Sequence, residues 1–329
     1  MTNTKEMTKP CGLANLGNTC FINTTLQCLC RVLDFFPKKE TLDPNSLLYE
    51  WISLTELMND NTGVINPKRF LHILQLTARN KNRILFSGFA QNDLPEFILF
   101  LFEMFHETLK HKVTINIKGY EVSNTDKLAK KTYEMIKSMY AKEYSNIIRD
   151  FYGVSVTTIQ DENKTTVLSQ TPEPFFLLDL PILRNNATLE ECMQEYTKEE
   201  LLKNENSWYN SNTKSKQNAL KSIGFFNLPN ILIISLKRFS NHIRKLNHHI
   251  EFPVDTLDMS PYMCGYTKNY KYELIGIANH AGSVMGGHYF AYVKLSDGEW
   301  FKCNDSHISP LRRSQLISNH AYCLFYKKL

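Results

Sequence analysis

Residues 12–29, GLANLGNTCFINTTLQCL, decide the fold: a polar, glycine-containing turn delivers Cys20 to the start of a helix. Asn18 and Thr19 are both competent N-cap residues, and Ile22, Leu26 and Leu29 recur at helical spacing, so a helix buried on one face is expected to begin at or just before Cys20. The first turn of a helix offers unpaired N–H groups and the positive end of the helix dipole, both of which favour a thiolate, the reactive form of cysteine. Asn15 supplies an amide able to face an oxyanion. A cysteine in this position packs as a small hydrophobe unless a base meets it.

A base stands near the other end of the chain, in residues 286–309, GGHYFAYVKLSDGEWFKCNDSHIS. His288 follows two glycines and opens an aromatic and β-branched run. Asp297-Gly298 is a hairpin signal, and Trp300 to Cys303 reads as the return strand. The hairpin carries His288 toward Asn304 and Asp305. A thiol nucleophile needs an imidazole as base, and the imidazole needs a carboxylate or amide to orient it. With a two-residue loop Asp305 shares a face with His288, whereas a three-residue loop or one bulge puts Asn304 there, and the pattern leaves both open.

These two segments resemble the Cys box and His box of the ubiquitin-specific protease family of deubiquitinases. Further landmarks follow in order: Gln91-Asn92-Asp93-Leu94-Pro95-Glu96-Phe97, Ile148 to Gly153, Pro172 to Ile182, Leu228 to Phe239, Phe252-Pro253, Leu257-Asp258-Met259, Tyr272-Glu273-Leu274 and Ala321 to Tyr326. The resemblance implies an α+β, papain-like cysteine protease with helical thumb, β-rich palm and β fingers, all in one catalytic domain. The thumb is expected over about 10–147, the fingers over about 148–230 with a palm strand at 172–182, and the rest of the palm over about 231–329. The implied activity is hydrolysis of the bond after the C-terminal glycine of ubiquitin. Cys20 would be the nucleophile, His288 the base and acid, Asn15 the oxyanion-hole side chain, and Asn304 the third triad member with Asp305 beside it. Asp93, Glu96, His280, Gly287 and Tyr289 are implied contacts for the ubiquitin tail, with His280 in a mobile loop. Asp93 and Glu96 also form a plausible capping box. The alternatives are a catalytically inactive ubiquitin-binding module and a protease for a ubiquitin-like modifier.

The chain departs from the family at the fingertips, where relatives often hold zinc with two CxxC pairs. Here these positions read Gln160-Asp161-Glu162-Asn163-Lys164 and Asn210-Ser211-Asn212-Thr213, and the eight cysteines include no CxxC. No metal and no cofactor are expected, and the fingers must be held by strand pairing and packing.

Composition fits this reading. At 43% hydrophobic and 22% charged residues the chain of 329 is an ordinary globular one. The net charge of +5 comes from basic residues interleaved with acidic ones, which argues against nucleic acid. The N-terminal MTNTKEMTKP lacks the apolar core of a leader, and no apolar run approaches the length that spans a bilayer. Irregularly spaced cysteines suit a reducing compartment, cytosol or nucleus. Ubiquitin and ubiquitinated proteins are the expected partners of a monomer. Helices are expected at 20–33, 47–58, 67–78, 93–111 and 189–202, with a lysine-rich solvated helix over 127–142. Strands are expected at 231–238, 272–279, 288–295, 299–303 and 321–327, forming a mixed sheet.

Overall fold

The computed structural model describes residues 9–240, 244–283 and 286–329; of the N-terminal decapeptide considered above for a leader, only Lys9 and Pro10 fall among them. Seven α-helices occur among the described residues: α1 (Cys20–Leu29), α2 (Leu47–Asp60), α3 (Lys68–Asn80), α4 (Leu94–Leu109), α5 (Asn124–Tyr140), α6 (Asn146–Phe151) and α7 (Leu189–Thr197). The larger strands are β1 (Gly153–Gln160), β2 (Val167–Phe175), β3 (Leu177–Leu180), β4 (Glu200–Leu202), β5 (Ala219–Asn227), β6 (Ile231–Leu236), β7 (Lys271–Ser283), β8 (Gly286–Lys294), β9 (Trp300–Asn304), β10 (His307–Leu311) and β11 (Ala321–Lys328). The class is α+β, as expected.

The central sheet runs β10-β9-β8-β7-β11-β6-β3, with the short Leu257–Asp258 strand added to β7. All its neighbours are antiparallel except β3, which lies parallel to β6. The runs ILIISL and AYCLFY are apolar at nearly every position because both faces of this sheet are covered. Ile231, Ile233, Cys323 and Phe325 join α1–α4 in one core, while Leu232, Ile234, Leu324 and Tyr326 alternate into a second core with Leu189, Cys192 and Met193 of α7. A separate four-stranded antiparallel sheet runs β2-β1-β5-β4, and Leu128 and Ala129 of α5 pack against Val154 and Val156 of β1 and Phe226 of β5.

Three elements differ from expectation. All ten residues of α1 are buried, not one face, because the helix lies between α4 and the central sheet. Its buried polar side chains find acceptors inside: Thr25 Oγ1 donates to the Phe21 carbonyl at 2.9 Å and Gln27 Nε2 to the Cys11 carbonyl at 2.7 Å. The segment 172–182 serves two sheets, ending β2 at Phe175 and forming β3 from Leu177. The helix expected over 189–202 stops at Thr197, and Glu200–Leu202 pairs with β5 as an edge strand.

Among the described residues no group of three or more His, Cys, Asp or Glu is placed to hold a metal ion. At the fingertips, side chains cap the turns directly. Asp161 accepts from the Thr166 amide at 2.5 Å and Thr165 Oγ1 at 2.8 Å, Asn210 Oδ1 accepts from the Asn212 amide at 3.0 Å, and Asn218 Nδ2 reaches Glu162 at 3.3 Å.

Candidate active site

The approach to Cys20 is built from backbone that only certain residues tolerate. Gly17 has φ +104° and Asn18 φ +54°, consecutive left-handed residues that turn the chain into α1. Asn15 organises this turn: its Oδ1 accepts from the Gly17 amide at 3.0 Å, the Thr19 amide at 3.2 Å and Thr19 Oγ1 at 3.2 Å. Thr19 occupies the N-cap position, yet its hydroxyl accepts from the Leu16 amide instead of capping the helix. The first N–H groups of α1 are therefore left for another acceptor.

The hairpin of β8 and β9 decides which residue faces His288. Lys294 pairs with Trp300, and the Leu295 amide donates to the Glu299 carbonyl at 2.9 Å, leaving Ser296, Asp297 and Gly298 as a three-residue loop with Gly298 at φ +90°. This loop length puts Asn304 on the His288 face. His288 Nε2 lies 2.5 Å from Asn304 Oδ1, so Nε2 carries the proton and Nδ1 is left as the base.

Asp305 escapes the strand alternation because it sits in the two-residue turn from β9 to β10, with φ +51°. One carboxylate oxygen is 4.0 Å from His288 Nε2 and accepts from Asn15 Nδ2 at 2.9 Å; the other accepts from Asn23 Nδ2 at 2.8 Å. Asn304 thus contacts the imidazole directly, and Asp305 links it to the turn before α1.

The Cys20 thiol is 3% exposed and meets the backbone amide of Tyr289, the residue after His288. Burial pushes its pKa up, with the Asp305 charge adding to the rise and the Tyr289 and Phe21 amides opposing it. The thiolate expected from the helix terminus alone is therefore outweighed by desolvation in the resting site. Deprotonation falls to a base, which is what an imidazole one residue from Tyr289 provides.

Asp93, His280, Gly287 and Tyr289 line one pocket of about 220 Å³ together with Gln91, Asn92, Phe239, Ser283 and Gly286; Glu96 does not reach it and is exposed. Asp93 caps α4, accepting from the Glu96 amide at 3.3 Å, while its second oxygen accepts from the Tyr322 hydroxyl at 2.7 Å. Burial raises the Asp93 pKa against the pull of that hydroxyl.

His280 is not in a loop. It lies in β7 opposite Tyr289, 4% exposed, its ring 4.6 Å from the Tyr289 ring, and burial lowers its pKa to about 4, with Lys245 the next contributor. The ladder continues past it because Gly282 and Gly287 face each other: a Cβ on Gly282 would fall 2.6 Å from the Gly286 carbonyl oxygen and 2.6 Å from Gly287 Cα.

Two contacts at this site had no signal in the sequence pattern. Gln91 spans the cleft, its Nε2 donating to the Gly287 carbonyl and its Oε1 accepting from the Gly287 amide, both at 3.2 Å. Asn23 holds Asp305. Each joins residues about 200 or more positions apart, beyond the reach of local spacing.

Comparison with known proteins agrees with this arrangement. A sequence model described as ubiquitin carboxyl-terminal hydrolase matches residues 11–326. The chain is 31% identical over 350 residues to ubiquitin carboxyl-terminal hydrolase 2 of Homo sapiens, covering 99% of this chain and 56% of that protein. It is 28% identical over 351 residues to ubiquitin carboxyl-terminal hydrolase 8 of Saccharomyces cerevisiae, covering 96% of this chain and 70% of that one. The chain thus spans little more than half of the human relative. Among solved structures, the SAGA Ubp8/Sgf11/Sus1/Sgf73 DUB module bound to ubiquitin aldehyde aligns over 100% of this chain and 71% of its own, with TM-score 0.77 and 27% identity.

Proposed function

The chain belongs to the ubiquitin carboxyl-terminal hydrolase family, and from that premise we propose that it is a thiol-dependent deubiquitinase that hydrolyses the peptide or isopeptide bond after the C-terminal glycine of ubiquitin. The observation that carries the reading is the convergence of Cys20 at the start of α1 with the hydrogen-bonded His288 and Asn304 of β8 and β9.

In this reading His288 Nδ1 takes the Cys20 proton as Sγ attacks the carbonyl carbon of the terminal glycine. Asn15 Nδ2 spends one hydrogen on Asp305, and its second, with the first N–H groups of α1, stabilises the oxyanion. His288 then protonates the departing lysine amine, leaving a thioester, and afterwards takes a proton from the water that cleaves it. Asn304 holds the imidazole in the tautomer these steps need. The tail would enter the pocket between Gln91, Asp93, His280 and Gly287 as an extended strand. The Ubp8 module's complex with ubiquitin aldehyde supports the same ligand here.

We assign the enzyme to cytosol or nucleus, a reading supported by its eight cysteines, all of them free thiols, and propose that it acts as a monomer.

The test is reaction with an electrophilic probe built on ubiquitin, run beside probes built on ubiquitin-like modifiers. Labelling by the ubiquitin probe, abolished by Cys20→Ala, is expected. Labelling that survives that substitution, or that occurs only with another modifier, would overturn the proposal.

A further inference from the structure

Asn15 can serve an oxyanion only if its nitrogen, not its oxygen, faces the reacting carbon. Two sets of contacts fix that choice. The amides of Gly17 and Thr19 claim the oxygen, and the Asp305 carboxylate claims the nitrogen at 2.9 Å. A flipped Asn15 would set its oxygen against a carboxylate, which is repulsive. The orientation therefore depends on where Asp305 is held.

Asp305 is held from α1. Asn23, 2% exposed and three residues after Cys20 on the same helix, donates from Nδ2 to the carboxylate oxygen that Asn15 does not use, at 2.8 Å. The same nitrogen lies 3.3 Å from the Ala14 carbonyl and 3.5 Å from the Leu13 carbonyl, in the segment that leads directly to Asn15. The Leu13 amide in turn donates to the Asp305 carbonyl at 2.9 Å. Asn23 Oδ1 is buried with no hydrogen-bond partner, so only the donor end of this amide is used. Asparagine supplies a neutral, buried donor here, and leaving its oxygen unsatisfied has a cost that a structural core residue would avoid.

We infer that Asn23 is a positioning residue of the oxyanion hole: its side-chain amide anchors the Asp305 carboxylate to the nucleophile's helix, and the carboxylate fixes the Asn15 amide with nitrogen toward the substrate. Asn23 touches neither substrate nor thiol. Its effect passes through Asp305 to Asn15, so it acts on the tetrahedral intermediate and not on ubiquitin binding.

The inference rests on the deubiquitinase reading, and the test separates the two. Wild type, Asn23→Ala and Asn23→Asp are assayed on ubiquitin bearing a fluorogenic amide, and their affinities are measured for free ubiquitin and for ubiquitin aldehyde, whose hemithioacetal with Cys20 places an oxygen where the oxyanion forms. Asn23→Asp keeps the shape while turning the donor into an acceptor against a carboxylate, and it serves where Asn23→Ala does not fold. The expected result is a kcat lower by about 10- to 100-fold with KM unchanged, and an aldehyde affinity weakened by a similar factor with free-ubiquitin affinity intact. Loss of both affinities in parallel would show a purely structural residue, and unchanged kcat would remove Asn23 from the site; either overturns the inference. An inactive wild type would instead refute the proposed function.

Discussion

Replacing Gly287 by alanine would place a methyl carbon 2.6 Å from the Ala281 carbonyl oxygen and closer still to His280 Nε2. Neither neighbour can yield cheaply. The carbonyl belongs to the β7–β8 ladder, and the His280 ring is packed among Tyr289 at 4.6 Å, Phe239 at 5.6 Å and Tyr322 at 6.2 Å between ring centroids. Overpacking of this kind costs about 1–3 kcal/mol, which in a chain of this size lowers Tm by a few degrees. The larger effect falls on catalysis. Gly287 precedes His288, and a displacement of about 1 Å in a catalytic group costs on the order of 100-fold in rate. Gly287→Ala is therefore expected to lower kcat/KM on a fluorogenic ubiquitin amide by about two orders of magnitude. Because the nearer of the two clashes is with His280, the effects should couple in part: adding Gly287→Ala to a His280→Ala background should destabilise less than adding it to wild type, with the clash against the Ala281 carbonyl remaining. Wild-type activity and melting temperature in the single variant, or strict additivity in the cycle, would refute the steric account of this glycine.

His288→Ala should lower turnover by several orders of magnitude while leaving ubiquitin affinity unchanged, as measured by calorimetry beside steady-state rates. His280, with its folded pKa lowered to about 4 from 6.5, binds its proton more readily when unfolded, so the stability tied to its neutral form is lost as pH falls from 6.5 toward 4. Urea melts should show His280→Phe flattening that slope by up to about 2 kcal/mol between pH 6.5 and 5, and an unchanged slope would place the ring in water. With the fingertip turns capped by Asp161 and Asn210, a chelator should leave Tm unchanged, and about one zinc per purified chain by elemental analysis would contradict this.

What the sequence made legible was local. The turn at Gly17 and Asn18, the helix start at Cys20 and the hairpin after His288 each depend on residues within a few positions, and helical spacing and turn chemistry identify them, although neither N-cap candidate caps α1 with its side chain. The choice between Asn304 and Asp305 was not legible in the strand pattern, because it depends on whether the loop holds two or three residues; only the family resemblance implied Asn304. His280 read as a loop residue because the resemblance implied a mobile loop at Asn279-His280-Ala281-Gly282, whereas the facing pair Gly282 and Gly287 lets the ladder run through it. The full burial of α1 was hidden by its polar residues Asn23, Thr24, Thr25 and Gln27, all buried. The Gln91 and Asn23 contacts bridge the length of the chain and exist only once the tertiary structure brings both ends together.

Exposed turn tips are where chains ordinarily gain and lose residues without penalty. The tip at Ser296–Gly298 is different, although it touches nothing in the cleft. Its length is a parity setting for the β8–β9 pair: removing one residue there would invert every side chain of β9 relative to β8 and turn Asn304 away from the imidazole, while removing or adding two would preserve the pairing sense. Drift in this surface loop is thereby restricted to even steps by a constraint that originates in the catalytic centre.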